Sequence, residues 1–419
     1  MTAAAKDEVS VYDRLVWPEG AIEALLASGE RRRELVAYLG EEEFAALQPL
    51  AVAAARMRRD PDRVVVLVPG IMGSQLGKPR PAPQPANLLW IDPVDFQHGR
   101  LLELALPDQG LRSMGPVLYN YLPLKLALEA CGYTVRYHDY DWRQELGALG
   151  LALAQRLALE TARQVTVIGH SMGGLIGRVA LRRMGMPKVH RLITLGAPHG
   201  GSYGALLALR GVYPLVRRIA QLDPLHSAEA LTREVFSTFP SLYQMLPVHF
   251  GGLDLFDARA WPSEGPQPDA SLLAQARSLD LGGTDERIVC IAGYGSDTVV
   301  DVARGLDGFR YTGDHLGDGT VPLDRAVLQG CEAWYCEAVH SDLPRSPTVQ
   351  AGLFALLAGD KPPLLSAPPR HESRGRFHFT DTELRQTLTT KIDWATLDHA
   401  ARQHFLGSLN ELAPPWSRG

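Results

Sequence analysis

The chain is short of cysteine and of aromatic residues, has no long apolar run, and carries no surplus of positive charge. Its four cysteines, Cys131, Cys290, Cys331 and Cys336, show neither a CxxC pair nor zinc-ligand spacing. A disulfide framework and a structural metal are therefore disfavoured, and buried free thiols are expected. Aromatic residues are only 7% of the chain, and Lys and Arg (42) are outnumbered by Asp and Glu (47) for a net charge of −5. The basic residues are dispersed, so no electrostatic footprint for nucleic acid or another polyanion exists. No window approaches the ~18 apolar residues that a bilayer span needs. The N-terminus, MTAAAKDEVSVYDRLVWPEG, lacks the basic start and apolar stretch of a secretory signal. The expectation is a cytoplasmic protein without metal or cofactor, whose contact with lipid would be peripheral; the oligomeric state is not legible. Heavy use of Ala, Gly, Arg and Pro is that of a high-GC bacterial source.

What is present is a change of pattern along the chain. Residues 1–60 read as an N-terminal helical extension, because apolar residues recur at three-to-four spacing from 19 to about 58. The run RVVVLVPG (63–70) is continuously apolar, as a parallel strand covered on both faces should be. Strand-like and helical stretches then alternate to about residue 360, which predicts an α/β fold, a doubly wound and mainly parallel sheet. Two segments interrupt the rhythm. KPRPAPQPAN (78–87) has proline at every second place in its middle and reads as an extended surface loop. Residues 201–282 are long for a crossover and rich in apolar helical stretches, which suggests a cap or lid or, equally, an enlarged core. Residues 361–419 read as a linker and a C-terminal helical tail.

The stretch VTVIGHSMGGLIGRVA (165–180) sets a serine between glycines, after a strand and before a helix. A strand–GxSxG–helix turn bends sharply enough to lift the serine oxygen above the sheet, where small flanking residues permit the strain. That makes Ser171 a candidate nucleophile, with Gly169 and Gly173 as the permissive residues. A base and an orienting acid should follow in the order acid, then histidine. His340 stands directly after the last apolar strand, in CEAVHSDLP, and is the candidate base. His170 and His199 are poorer candidates because their chain order is wrong. Asp314, Asp318 and Asp324 are the nearby acids, and Asp318 in GDGTVP sits on what should be a tight, exposed turn. An oxyanion hole would use the backbone N–H of Met172 and one from the turn after the first strand, at Ile71 in LVPGIMGSQL.

The ordered stretches VVLVPGIMGSQL, LLWID, YDWR, VIGHSMGG, ITLGAPHGGS, FPSLYQMLP, GDGTVPL and HSDLPRSP resemble the lecithin:cholesterol acyltransferase family, within the α/β-hydrolase superfamily. That family includes lysosomal phospholipase A2 and phospholipid:diacylglycerol acyltransferase. The resemblance runs from residue 64 to about 347 and is that of a bacterial member. It implies an α/β-hydrolase fold, Ser171, Asp318 and His340 as catalytic residues, and Ile71 and Met172 as oxyanion donors. It also implies that Trp90 lies near the acyl site, beside the alternative of an ordinary core or surface aromatic. The family's eukaryotic members carry a disulfide between GSQL and that tryptophan; this chain has no cysteine there. The expected activity is serine-dependent cleavage of carboxylic esters, most naturally lipids, with an alcohol acceptor as an alternative to water. An esterase or depolymerase for non-lipid esters, or a non-catalytic binding protein on the same scaffold, stay open.

Overall fold

The computed structural model describes residues 20–80, 87–107, 110–184, 188–248, 253–369 and 375–409. Most of the proline-rich loop expected at 78–87 and the terminal PPWSRG lie outside the described residues. Three helices open the chain: α1 (Ala21–Ser28), α2 (Arg32–Leu39) and α3 (Glu41–Arg56). Their apolar stripe, including Ile22, Leu26, Leu35, Phe44 and Leu47, is buried against Leu118, Leu122 and Leu126 of α4 (Leu118–Ala130). The N-terminal extension is thus packed on the core by the face its periodicity marks out.

Among the described residues twelve strands follow one another along the chain, the first being β1 (Asp60–Val68) of the central sheet. β2 (Ser74–Lys78), β3 (Asn87–Trp90) and β4 (Arg112–Pro116) form a small antiparallel sheet in the order β3–β2–β4. β5 (Tyr133–Tyr137), β6 (Gln164–His170), β7 (Val189–Leu195) and β8 (Ile288–Tyr294) belong with β1. β9 (Thr298–Arg304) and β10 (Phe309–Asp314) pair antiparallel, and β11 (Glu332–Glu337) completes the main sheet. β12 (Phe377–Thr380) pairs with β10. The main sheet has the order β5–β1–β6–β7–β8–β11, and every neighbouring pair in it is parallel.

Alternate residues of β1 bury on opposite faces. Val65 and Leu67 join one apolar cluster with α4 and α12 (Pro347–Ala358); Val64, Val66 and Val68 join another. That second cluster contains α5 (Leu146–Ala158) and α6 (Met172–Met184). The chain leaves β1 for the edge strand β5 and returns to β6 on the other side of β1. The carboxyl ends of β1 and β6 therefore flank the switch point where open α/β sheets leave a crevice. This order, with a strand–serine–helix turn after β6, is the α/β-hydrolase fold.

The excursion at 201–282 is helical, with α7 (Tyr203–Leu209), α8 (Pro214–Leu222), α9 (Ala228–Glu234), α10 (Pro240–Gln244) and α11 (Ala270–Arg277). Its apolar residues, such as Leu206, Val216, Ile219, Leu231 and Phe239, are buried in the same cluster as the sheet. The two small antiparallel sheets were not expected. Segments such as SQLGK and RSMGP show neither alternation nor β-branched enrichment, so pairing partners rather than local propensity make them strands. The C-terminal segment likewise contributes β12 before its helices α13 (Asp381–Arg385) and α14 (His399–Ser408). Among the described residues no helix is long and apolar enough to cross a membrane.

Candidate active site

Ser171 sits at φ 53°, a left-handed conformation that a residue with a Cβ rarely takes. The neighbouring glycines explain how the turn closes. A Cβ on Gly173 would lie 2.3 Å from the Val68 carbonyl oxygen, and one on Gly169 would lie 2.6 Å from that of Gly173. The elbow is packed backbone against backbone, which no larger residue permits. Ser171 N–H donates to the Leu195 carbonyl at 2.8 Å, tying the turn to β7.

The structure brings the three candidate side chains together. His340 Nε2 is 2.9 Å from Ser171 Oγ, and His340 Nδ1 is 2.7 Å from Asp318 Oδ2. With Nδ1 facing a carboxylate, the proton belongs on Nδ1 and Nε2 is free to accept from the serine hydroxyl. Ser171 and His340 are 5% and 8% exposed. Asp318 is fully buried, not on the exposed turn expected from its glycines and proline. Its other oxygen, Oδ1, accepts the N–H groups of Thr320 and Val321 at 3.0 and 2.8 Å, which compensates the desolvated charge. The turn curls around the carboxylate, so the same residues that signal a surface loop here cover an anion. Of the rival acids, Asp314 accepts from Leu316 N–H at 2.7 Å and Asp324 is exposed. Space for the acid–base contact is made by Gly196, at φ 56°, where a Cβ would lie 2.8 Å from Asp318 Oδ2 and 3.1 Å from His340 Nδ1.

The turn after β1 lies against the serine, since a Cβ on Gly70 would be 3.0 Å from Ser171 Cβ. Met172 is the first residue of α6, where an N–H has no carbonyl within its own helix. Ile71 directly follows Gly70, and Met172 directly follows Ser171. The turn after β1 is heavily braced. Tyr140 donates to the Pro69 carbonyl at 2.6 Å, Trp142 Nε1 to that of Ser74 at 2.9 Å, and Trp90 Nε1 to that of Met72 at 2.9 Å. Trp90 is 1% exposed and packs edge-on to Trp142, with ring centres 5.2 Å apart. Its ring also lies 6.0 Å from that of Phe96.

Residues that sequence reasoning passed over complete the surroundings. Tyr121 in α4 accepts the Gly70 N–H at 2.9 Å and lies 2.9 Å from His170 Nδ1. His170 Nε2 donates to the His340 carbonyl at 2.9 Å. Burial, with the neighbouring His340 adding to it, pushes the His170 imidazole down to about 3, so it is neutral. His199 is half-buried, and desolvation depresses it to about 3; it touches Thr194, Arg178 and Cys290, away from Ser171. Neither histidine competes with His340 as a base. All four cysteines are free, and Cys131 is exposed where a buried thiol was expected. Among the described residues no group of three or more His, Cys, Asp or Glu is arranged to hold a metal.

Comparison with known proteins gives one family match. Residues 145–238, less than half of the chain, match the profile described as palmitoyl protein thioesterase. The segment contains the elbow and the first part of the excursion, but neither Asp318 nor His340. No curated protein matches. Among solved structures, the mature lipase BlEst2 of Bacillus licheniformis has 16% identity and a TM-score of 0.37, over 72% of this chain and 94% of its own. Aspergillus fumigatus lipase B has 12% identity and a TM-score of 0.35, over 85% of this chain and 64% of its own. The lin2722 product of Listeria innocua has 13% identity and a TM-score of 0.30, over 73% of this chain and 95% of its own. At these values the fold assignment rests on the sheet order and the elbow.

Proposed function

We propose that the protein is a serine hydrolase of carboxylic esters, with Ser171 as nucleophile, His340 as base and Asp318 as its orienting acid. The observation that carries this is the buried hydrogen-bonded chain Ser171 Oγ, His340 Nε2, His340 Nδ1, Asp318 Oδ2, with links of 2.9 and 2.7 Å, at a strained elbow. As Ser171 Oγ bonds to the ester carbonyl carbon, its proton passes to His340 Nε2. The oxygen of the tetrahedral adduct takes hydrogen bonds from the N–H groups of Ile71 and Met172 at the positive end of α6. The adduct collapses, the alcohol leaves with the proton from His340, and the acyl group stays on Ser171. An incoming hydroxyl, deprotonated by His340, then attacks that ester and releases the serine.

The acyl group is read as a long chain. Support comes from the palmitoyl protein thioesterase profile matched over residues 145–238, the segment that holds the elbow. Transfer to an alcohol in place of water is the second outcome of the same chemistry, favoured by how little of Ser171 and His340 faces solvent.

Ser171→Ala should lower kcat by at least about 10⁴-fold and abolish labelling by a fluorophosphonate, with the unfolding midpoint retained. The same assay, run with oxyesters and thioesters from acetyl to palmitoyl, should favour the long chains. Wild-type rates in the alanine variant would remove the nucleophile assignment. Activity confined to acetyl and butyryl esters would remove the lipid reading.

A further inference from the structure

We infer that Tyr121 and His170 form a hydrogen-bonded coupling that fixes the oxyanion turn relative to the loop carrying His340, making both of them positioning residues. The inference rests on the serine-hydrolase reading, and it concerns residues that touch neither the proposed nucleophile's oxygen nor the base's ring nitrogens.

The proposed chemistry draws on three segments far apart in the sequence: the turn at 69–73, the elbow at 169–173 and the loop from 338 to 343. Each is held locally, yet their mutual distances must be kept within a fraction of an ångström for attack. One continuous buried path joins them. Gly70 N–H donates to Tyr121 Oη at 2.9 Å, and Tyr121 Oη lies 2.9 Å from His170 Nδ1. His170 Nε2 is 2.9 Å from the His340 carbonyl, and His340 N–H donates to the Asp318 carbonyl at 2.8 Å.

The direction of each bond follows from the partners. A carbonyl can only accept, so His170 carries its proton on Nε2 and presents Nδ1 as an acceptor. The Tyr121 hydroxyl must then donate to Nδ1 while its lone pair takes the Gly70 N–H. Every hydrogen in the path has one place to go, and only this tautomer satisfies all of it. Tyr121 and His170 are 4% and 7% exposed, so water does not offer an equivalent set of bonds. The fit around the hydroxyl is close: a Cβ on Gly73 would lie 2.7 Å from Tyr121 Oη, inside the turn that leads to Ile71. Gly70 is the residue before the proposed donor Ile71, so the Tyr121 bond holds the Pro69–Gly70 peptide, the one preceding the donor's own. At the other end, His170 holds the backbone of His340 itself, and His170 is the residue before Ser171. The residue ahead of the nucleophile thereby sets the spacing between the groups on either side of it.

The test uses the full chain, titrated with a fluorophosphonate so that the labelled fraction counts competent sites and the labelling rate reports their quality. Tyr121→Phe removes one oxygen and leaves the ring. It should lower kcat and the labelling rate per competent site by about tenfold to a hundredfold, with KM within about twofold. His170→Gln, whose amide cannot span both partners, should do the same. The double variant should lose clearly less than the product of the two single losses, because both changes cut the same path. A per-site rate within about twofold of wild type, with only the unfolding midpoint lowered, would make the pair a structural hydrogen bond and overturn the inference. Fully multiplicative losses would overturn it too. Labelling that persists in Ser171→Ala would instead overturn the serine reading, and the coupling with it.

Discussion

Gly196 shows how much of the site is decided by a missing atom. It ends β7, has φ 56°, and leaves room for Asp318 and His340 to meet; a methyl group would sit 2.8 Å from one and 3.1 Å from the other. The first distance is shorter than side-chain carbon atoms tolerate, the second is tight, and the positive φ adds strain. Gly196→Ala should therefore separate acid from base and cut kcat by about a hundredfold, with little change in KM. Steady-state kinetics on a soluble ester would check it, and an unchanged kcat would mean that the acid–base contact is not what Gly196 protects. The sequence pointed to Ser171, Asp318 and His340 by motif and order. It was silent on Gly196, Tyr121 and His170 as partners, because each acts across a contact between segments distant in the chain. It misjudged Asp318 as exposed, since Gly-Asp-Gly is a turn signal whether the turn faces solvent or wraps a carboxylate.

At the scale of elements, the C-terminal segment is not a loose tail. Arg210, just after α7, and Asp381, at the start of α13, form an ion pair in which neither side chain is exposed, with Nε to Oδ2 at 2.9 Å. Asp381 also accepts from Tyr311 Oη at 2.6 Å and Phe309 N–H at 3.2 Å. Arg210 further reaches the Pro266 carbonyl at 2.7 Å. One pair thus joins the excursion, the β9–β10 hairpin and the C-terminal segment. Breaking such a pair leaves a desolvated guanidinium, which costs about 3–5 kcal/mol. Asp381→Asn should lower the free energy of unfolding by about that amount in urea titrations at neutral pH. A loss below about 1 kcal/mol would mean that the segment is held by its apolar contacts instead. Helices and the long parallel strands were legible here because burial imprints periods on them. Strands β2, β4 and β12 were not, because their residues match no period and their partners lie elsewhere.

Across the whole molecule, burial of neutral imidazoles predicts sensitivity to acid. His138, His170 and His199 are pushed down to about 4, 3 and 3, in each case chiefly by desolvation, from an ordinary value of 6.5. Because the folded values are the lower ones, the unfolded chain binds more protons at mildly acidic pH. Their contribution is complete above 6.5 and is lost as pH falls towards 4 and 3. Each should remove on the order of 1–2 kcal/mol of stability between pH 6.5 and 5. Urea unfolding at the two pH values should show the fall, and His199→Gln should make it smaller. Equal stability at pH 6.5 and 5 would contradict the buried, neutral state of these rings.

By itself the sequence determined the fold class, the elbow with its serine, and the order in which the proposed acid and base follow, because strand composition, glycine spacing and chain order are local or linear properties. The burial of Asp318, the bond from Trp90 to the Met72 carbonyl, the antiparallel sheets and the path from Gly70 through Tyr121 and His170 to His340 were decided only in three dimensions. Each depends on which distant backbone groups come to face one another, and a hydrogen bond or an excluded methyl across such a contact leaves no pattern in the order of residues.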